Sequence, residues 1–502
     1  MATSSSSLRC FPPLPLQVHC HNTLAFPLSY NRLQFPRPRL QSNTSIRPYS
    51  TTQLGLNKFR CLSSQGKQQQ QQQQQQPQIS TKQLEQNDQQ FESEFERLFS
   101  NLNPNTLQHE PGSVTGSVLL VAGTTVGAGI LAIPAVTQEA GFLAAAVTCI
   151  LCWIYMVVTG LLIAEVNVKT MCELGSGGVS LVSMARRTIG SIGVQIACWS
   201  YIFIHYALLV AYVARSSDIL TDILGIPVWE CASLFSLLLG SICFFGSQQL
   251  IGAVNGVLVS GIIISFAALV AAAGGDLHWD ALLKANLEAI PASIPIIALS
   301  FVYQNVVPVL CTNLEGDLSK IRNSIILGTA IPLGLFIIWN AVILGTIETT
   351  GTDKVADPLQ ALQATNGVVG PIVGAFSLLA IATSYIGFVL GLSDFLSDLL
   401  KLPSDRNRPL PYLLTLFPPL ILSLLDPDIF FKALDFAGTY GVLVLFGVLP
   451  AAMSWSDRYS SSLSLSSNIP ELVPGGRITL LLVIGGAGYV IISELLNSFM
   501  HT

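Results

Sequence analysis

Long apolar stretches separated by short polar segments recur from residue 114 to the end of the 502-residue chain. A helix needs about 20 apolar residues to cross about 30 Å of hydrocarbon, and these stretches have about that length. Because unpaired backbone polar groups are prohibitive in lipid, the stretches are predicted to be helices. We predict eleven spans, of which the ninth is short and rich in proline: Val114–Val136, Phe142–Val168, Val194–Ala214, Val228–Phe245, Leu250–Ala273, Ala292–Leu310, Ile325–Ile347, Val368–Leu392, Leu410–Leu425, Phe430–Met453 and Ile478–Met500.

The composition supports a membrane protein over a large soluble one. Hydrophobic residues make up 51% of the chain and charged residues only 11%, with a mean hydropathy of +0.57. An average soluble protein has about 25% charged residues. A net charge of −5 offers no basic surface for phosphates, so a nucleic-acid partner is excluded. We predict an all-α membrane protein whose main partner is the lipid bilayer.

The N-terminal region has the composition of a targeting peptide. Nine basic residues and no acidic residue precede Glu85, and the chain begins with Met-Ala-Thr and four serines. Such a composition is typical of an organelle transit peptide, which we assign to residues 1–67, although a disordered tail has similar features. No Arg-lined amphipathic helix is evident, which favours a plastid over a mitochondrion. Residues 68–112 are predicted to form a glutamine-rich, then acidic, linker.

The distribution of positive charge predicts the orientation. With the N-terminus inside, the inner loops contain ten Lys and Arg residues and the outer loops four. Inner loops of membrane proteins are enriched in these residues, so the N-terminus is predicted to face the stroma, with the chain in the chloroplast inner envelope.

The first span contains an unusual glycine-rich segment. Gly123, Thr124, Thr125, Gly127 and Gly129 fall within seven residues, and each glycine costs about 1 kcal/mol relative to alanine inside a helix. One interpretation is close helix packing through a GxxxG pair. The other is an unwound segment, in which a half-helix beginning near Gly127 directs its positive end at an anion such as a carboxylate.

An interruption five spans later favours the unwound interpretation. Gln304, Asn305 and Pro308 interrupt the apolar sixth span, and proline removes a backbone hydrogen bond. Interrupted spans at corresponding positions of two halves are typical of secondary transporters. We therefore predict two five-helix repeats, residues 113–274 and 289–454, of opposite orientation. An eleventh helix and the C-terminus occupy residues 474–502.

Three segments carry a resemblance to a known family. Residues 123–134 (GTTVGAGILAIP), 180–190 (SLVSMARRTIG) and 300–308 (SFVYQNVVP) resemble stretches of the tryptophan/tyrosine permeases. The likeness extends over about residues 113–500 and is greatest to tyrosine-specific members. It implies the leucine-transporter-type fold of the amino acid–polyamine–organocation superfamily, with the first and sixth helices broken. It also implies a transporter of aromatic amino acids that works by alternating access.

Several polar and aromatic residues are therefore predicted to bind the amino acid. The carboxylate is expected on the amides of 123–129, the ammonium on carbonyls near 301–304, and the ring against Phe301, Tyr303 and the third and eighth spans. The resemblance implies that the third span lines the cavity. The predicted substrate-binding residues are Gly123, Thr124, Thr125, Gly127, Gly129, Tyr201, His205, Phe301, Tyr303, Gln304, Asn305 and Tyr385.

Transport is predicted to be coupled to Na⁺ or H⁺, with no resident cofactor, metal or catalytic residue. Thr383 and Ser384 resemble the hydroxyl pair that completes a sodium site in relatives, although small hydroxyl residues also join helices. Histidine as a residue type titrates near the range that a proton-coupled carrier needs, which makes His205 a candidate, but a lone membrane histidine often only hydrogen-bonds a neighbouring carbonyl. Glu165 and Lys169 are expected to form a salt bridge.

An enzyme and a passive channel are the other function classes. Three DxxxD pairs could bind magnesium diphosphate in a membrane-embedded prenyltransferase: Asp218/Asp222, Asp353/Asp357 and Asp394/Asp398. These pairs fall in different loops and span ends, and an enzyme would leave the interrupted spans unexplained. A channel would need a ring-forming filter sequence, which is not evident.

Overall fold

The structure, a computed structural model, describes eight segments of the chain, which all belong to one compact unit. They are residues 112–174, 179–273, 279–346, 358–359, 369–400, 409–426, 429–460 and 469–500. The predicted transit peptide, nearly all of the linker and the Asp353/Asp357 pair lie outside them. The described residues contain helices and no strand, so the predicted all-α fold is confirmed.

Helices account for nearly all of these segments, and we number them in chain order. The first seven are α1 Val114–Thr125, α2 Gly129–Thr137, α3 Phe142–Leu174, α4 Leu181–Thr188, α5 Ser191–Leu224, α6 Val228–Phe245 and α7 Gln248–Ala273. The next five are α8 Trp279–Leu282, α9 Ile290–Ser300, α10 Val307–Asn313, α11 Leu318–Thr346 and α12 Val369–Leu399. The last four are α13 Pro409–Leu425, α14 Ile429–Phe436, α15 Leu449–Tyr459 and α16 Gly476–Met500.

Among the described residues, nine helices are long and apolar enough to cross a membrane. The pair α1 and α2, bent by 54°, makes a tenth candidate span, and α13 is a shorter apolar helix of 17 residues. Pro418 and Pro419 lie inside α13. The predicted multi-pass architecture is thus present, whereas the count of eleven stays a prediction because α13 is the shortest.

Both predicted breaks are present. The first span changes direction between α1 and α2 at residues 126–128. The sixth span consists of α9, a non-helical stretch at 301–303, a 3₁₀ turn at Gln304–Val306 and α10. Gly112 N–H donates a 2.8 Å hydrogen bond to Asn313 O. The start of α1 and the end of α10 therefore lie together, at what we call the Gly112 end.

Contacts between helices repeat from the first half to the second. Spans 1 and 7 (α1, α11) pack together, as do spans 6 and 2 (α9, α3). Spans 3 and 9 pack together in the same way as spans 8 and 4. Spans 3 and 10 also pack together, and their counterparts are spans 8 and 5. Each contact thus recurs between the two spans that lie five positions away in the other half, which supports the predicted five-plus-five repeat.

The tenth span contains a feature that the hydrophobic pattern does not predict. Between α14 and α15, residues Ala437–Val448 form a π-helical segment. Three of its glycines lie against three different spans: Gly438 against Pro295 of α9, Gly441 against Ile204 of α5 and Gly447 against Tyr155 of α3. π-helical turns are rare and concentrate at functional sites, and here the segment joins spans 2, 3 and 6.

Candidate functional site

The first break exposes backbone groups in the middle of the bundle. α1 ends at Thr125 and α2 begins at Gly129. Among the described residues, the N–H groups of Gly127 and Gly129 have no backbone acceptor. The N–H of Ala128 between them donates a 3.0 Å hydrogen bond to the Ser384 hydroxyl of α12. Since α2 begins here, the positive end of its dipole lies at the same place. The break can therefore bind an anion through its free amides.

Close contact between the two breaks depends on glycine. A Cβ atom on Gly129 would lie 2.8 Å from Ser300 Oγ and 3.0 Å from Ser300 Cα, at the end of α9. A Cβ on Gly127 would lie 2.9 Å from Ser384 Oγ. All three distances are shorter than a van der Waals contact, so the absence of a side chain permits this approach. Gly123 differs, because a Cβ there would meet nothing within 4 Å.

The second break is fixed against α3. The Tyr303 hydroxyl donates to Met156 O at 3.1 Å, and Gln304 Nε2 donates to the same carbonyl at 3.3 Å and to Thr159 Oγ1 at 3.2 Å. Gln304 Oε1 accepts from Tyr303 N–H at 3.0 Å. The Tyr303 ring occupies the space that a side chain on Gly160 would need. Both side chains are buried and stabilise the break in this conformation.

Free carbonyls are present at the second break. In the described part of the chain, no backbone N–H donates to the carbonyls of Ser300, Phe301 or Val302. They lie at the C-terminal end of α9 and just beyond it, where the helix dipole is negative. The first break thus offers hydrogen-bond donors and the second offers hydrogen-bond acceptors. The close contact between Gly129 and Ser300 brings the two breaks together.

Four of the predicted site residues direct their side chains elsewhere. The hydroxyls of Thr124 and Thr125 bond to carbonyls of their own helix, at 2.5 and 2.8 Å. Phe301 packs on Phe336 of α11 with a ring separation of 5.0 Å, and Tyr385 packs on Phe235 of α6 at the same separation. Of the predicted ion ligands, Thr383 Oγ1 donates to Ala380 O at 3.0 Å. Only Ser384 bonds directly to the first break.

A cavity of about 440 Å³ lies at the Gly112 end and is lined by three further predicted residues, whereas Tyr303 and His205 are not among its lining residues. Tyr201, Gln304 and Asn305 line it, together with residues that the sequence analysis missed. The others are Val179, Ser180, Leu181, Val182, Ala197, Pro308, Val309, Thr312, Asn313, Phe395 and Phe446. Its volume is within the range of small-molecule sites, which is about 300–1,000 Å³. The first break contributes no lining residue, so the predicted residues form two groups.

Aromatic rings connect the two groups along α5 and α12. The Tyr201 ring lies 4.6 Å from Phe395 and 3.9 Å from His205, and His205 lies 4.8 Å from Phe388. Phe388 contacts Tyr212 at 5.7 Å, and the Tyr212 hydroxyl lies close to Ser384. We call these rings the aromatic ladder. Their spacing along each helix is the signal by which Phe388 and Phe395 could have been found.

His205 hydrogen-bonds a neighbouring carbonyl, as expected if its role is structural. Its Nδ1 lies 2.8 Å from Tyr201 O, and because a carbonyl can only accept, Nδ1 carries the proton. The other ring nitrogen faces Gly391, where a Cβ would lie 3.4 Å away. A proton-coupling role stays a prediction.

An ionic network, which includes the predicted Glu165–Lys169 salt bridge at 3.2 Å, lies near the C-terminal ends of α3 and α15. Glu165 is fully buried and accepts from Arg458 Nε at 2.9 Å, from Arg458 Nη2 at 2.6 Å and from Leu472 N–H at 3.0 Å. Lys169 also contacts Asp457 at 3.0 Å, and Asp457 pairs with Arg187 of α4. The network therefore ties spans 2 and 10 to α4.

Comparison with known proteins gives a consistent result. The model of the tryptophan/tyrosine permease family matches residues 110–494. Tyrosine-specific transport system 2 of Haemophilus influenzae is 30% identical over 398 residues, which cover 74% of this chain and 93% of the relative. The tryptophan-specific transport protein of the same organism is 25% identical, covering 70% and 89%. Glutamine transporter 2 of Aliivibrio fischeri is also 25% identical, covering 73% and 95%.

These matches decide between the function classes considered for the sequence. The family match extends over more than half of the chain, and the aligned part covers most of the length of the relatives. The prenyltransferase interpretation of the DxxxD pairs is therefore wrong. With its facing broken helices and this family match, the chain belongs to the tryptophan/tyrosine permease family, whose members are transporters and not enzymes.

Proposed function

We propose that the protein transports an aromatic amino acid, with tyrosine as the preferred substrate, by alternating access. The observation that carries the proposal is the pair of facing breaks, with free N–H groups at Gly127 and Gly129 and free carbonyls at Ser300–Val302. A zwitterion needs both kinds of group. Relatives named as tyrosine- and tryptophan-specific transporters support the aromatic class.

The carboxylate binds at the N-terminal end of α2, where free amides and the helix dipole both favour negative charge. The ammonium binds the carbonyls that follow α9. Side chains at the breaks are mostly engaged with other helices, as Tyr303 and Gln304 are with Met156. Recognition of the common part of an amino acid therefore falls to the backbone, and selectivity to the residues that surround the ring.

Preference for tyrosine requires a polar partner for the phenol group. A site that hydrogen-bonds a substrate hydroxyl can reject the analogue without it by about 10⁴-fold or more, because its own polar group is left unpaired. The Tyr212 hydroxyl, next to Ser384, is one such group close to the first break. A Tyr212→Phe variant should reduce the preference for tyrosine over phenylalanine, while leaving phenylalanine transport intact.

Uptake is driven by a coupled cation. For Na⁺, the ligands are the hydroxyls of Thr383 and Ser384 with carbonyls at the end of α1; hard cations favour such oxygen ligands. For H⁺, His205 is the carrier. A His205→Asn variant separates the two, since Asn can retain a donor toward Tyr201 O but does not titrate. Loss of uptake driven by a pH gradient, with counterflow retained, supports H⁺; unchanged uptake driven by a Na⁺ gradient supports Na⁺.

The membrane is the chloroplast inner envelope, with the N-terminus in the stroma. Support comes from the acid-free, basic composition before Glu85 and from the ten-to-four excess of Lys and Arg in the inner loops. A fluorescent protein fused after residue 67 should accumulate inside chloroplasts. Retention of the fusion in the cytosol would contradict this assignment.

The transport test uses the purified full chain in proteoliposomes. Vesicles preloaded with unlabelled tyrosine should accumulate labelled tyrosine by counterflow, and a panel containing tryptophan, phenylalanine and glutamine ranks the substrates. Gradients of Na⁺ and of pH, imposed separately, identify the driving ion. Counterflow with glutamine but with no aromatic amino acid would contradict the proposed substrate class.

A further inference from the structure

The cavity at the Gly112 end has two chemically different sets of lining residues. Three aromatic rings come from three different spans: Tyr201 from α5, Phe395 from α12 and Phe446 from the π-helical segment. The polar residues Asn305, Thr312 and Asn313 come from the sixth span, in and around α10. Asn305 is exposed to the cavity, whereas Phe446 is buried in the wall. Rings together with amide and hydroxyl groups suit a small molecule with an aromatic part and a polar part.

This cavity is well separated from the first break. Tyr201 in the cavity and Tyr212 beside Ser384 are eleven positions apart on α5, and Phe395 and Ser384 are eleven apart on α12. Eleven residues of α-helix extend about 16 Å. The intervening His205 is buried, and its ring lies between those of Tyr201 and Phe388. A small molecule packed against Tyr201 and Phe395 therefore lies about three helical turns from the level of the amides of Gly127 and Gly129.

The aromatic rings of the wall are held in place from behind. Tyr201 lies between His205 and Phe395, with ring separations of 3.9 and 4.6 Å. Gly391 leaves room for this stack, because a Cβ on it would lie 3.3 Å from the Tyr201 hydroxyl. Rings fixed in this way offer a preorganised surface, and aromatic pairs with centroids about 4.5–7 Å apart are favourable.

We propose that the cavity is a second binding site for the aromatic amino acid, occupied at the same time as the site at the breaks. The proposal rests on the proposed function. The ring of the amino acid packs against Tyr201, Phe395 and Phe446, and its polar end meets Asn305, Thr312 and Asn313. The aromatic ladder separates the two bound molecules. The second site thus holds the substrate at the Gly112 end before entry or after release.

The test counts bound ligand. Purified full-length protein is dialysed to equilibrium against radiolabelled tyrosine, and two tyrosines per chain are expected at saturation. The double variant Phe395→Leu/Phe446→Leu removes the rings but keeps apolar side chains, and should bind one. Gly127→Leu obstructs the first break and should also bind one; all three substitutions together should bind none. The matched control Phe417→Leu/Phe436→Leu changes two phenylalanines that are 55% and 47% exposed outside the cavity, and should bind two.

The single site retained in the double variant and in Gly127→Leu shows that each of these proteins is folded. If the double variant does not fold, Asn305→Leu replaces it, since Asn305 is exposed and its loss removes polar contacts without disturbing the core. That variant should weaken one of the two sites at least tenfold. One tyrosine per chain in the wild type, lost in Gly127→Leu and unchanged in the cavity variants, would overturn the second site alone. No tyrosine bound by any form would overturn the proposed function.

Discussion

The N–H of Ala128 donates a 3.0 Å hydrogen bond to the hydroxyl of Ser384, 256 residues further along the chain. Ala128 belongs to neither half of the broken first span, so no carbonyl of a continuous helix accepts from its amide. Ser384 comes from the middle of α12 and lies close to the Tyr212 hydroxyl of α5. One side chain thus joins spans 1 and 8 at the point where the helix is interrupted.

Ser384→Ala should therefore impair transport. Leaving a buried donor without its acceptor costs about 1–3 kcal/mol, which corresponds to a loss of about 5–150-fold in affinity. The measurement is the concentration of tyrosine, and separately of the driving ion, at half-maximal uptake. Ser393→Ala is the control, because that buried hydroxyl bonds only within α12, to Leu390 O at 3.0 Å. Equal effects of the two substitutions would contradict a special role for Ser384.

The glycines of the first span should differ in their tolerance of a methyl group. Gly129→Ala places Cβ 3.0 Å from the Cα of Ser300, a backbone atom that cannot move aside, whereas Gly123→Ala meets nothing within 4 Å. We expect tyrosine counterflow to fall at least about tenfold in Gly129→Ala, equivalent to about 1.4 kcal/mol. Gly123→Ala should transport normally and be more thermostable, because alanine is the better helix former. The opposite order would show that the breaks do not need this close contact.

The second break should respond to changes on α3. Gly160→Ala directs a methyl group into the Tyr303 ring, and is expected to displace the break and lower both thermal stability and transport. Tyr303→Phe removes only the hydroxyl bond to Met156 O and should cost about 1 kcal/mol. The Tyr303 hydroxyl is part of the clash with the new methyl group. The double variant Gly160→Ala/Tyr303→Phe should therefore lose less stability than the sum of the losses in the two single variants. If thermal unfolding shows that the stability losses of the two single variants simply add in the double variant, the clash is contradicted.

The ionic network should contribute to stability through its buried member. Glu165→Gln leaves Arg458, which is 3% exposed, without its bidentate partner. Removing one partner of a buried ion pair costs about 3–5 kcal/mol. Glu471 pairs with the same arginine but is 46% exposed, so Glu471→Gln should cost about 1 kcal/mol or less. Thermal unfolding of both variants in detergent checks this difference, and similar midpoints would contradict it.

Local sequence was sufficient for the two breaks. Glycines at 123, 127 and 129 and the Gln304–Pro308 segment are unfavourable in a continuous helix wherever it lies, so the interruptions could be predicted without knowledge of the neighbours. The same holds for the long apolar helices. Their ends were predicted less well: α3 and α5 extend beyond the apolar stretches because polar and charged residues continue the helix outside the hydrocarbon.

The partners of the site side chains could not be predicted. Tyr303 and Phe301 were expected to face the substrate, yet Tyr303 bonds to Met156 and Phe301 packs on Phe336. The sequence gives the face of a helix but not the rotation of one helix relative to another. For the same reason the sequence does not identify Phe395 and Phe446 as cavity residues, nor does it predict the π-helical segment, in which the helical period itself changes.

The central claim is that bare amides at the first break bind the carboxylate of the substrate. Hydrogen–deuterium exchange of the segment 124–131, measured with and without saturating tyrosine, tests it most directly. Radiolabelled binding confirms saturation in the same sample, and α16 at the edge of the bundle is the internal reference. We predict that tyrosine slows exchange at Gly127 and Gly129 and leaves α16 unchanged. Identical exchange of this segment in the free and saturated protein would contradict the account.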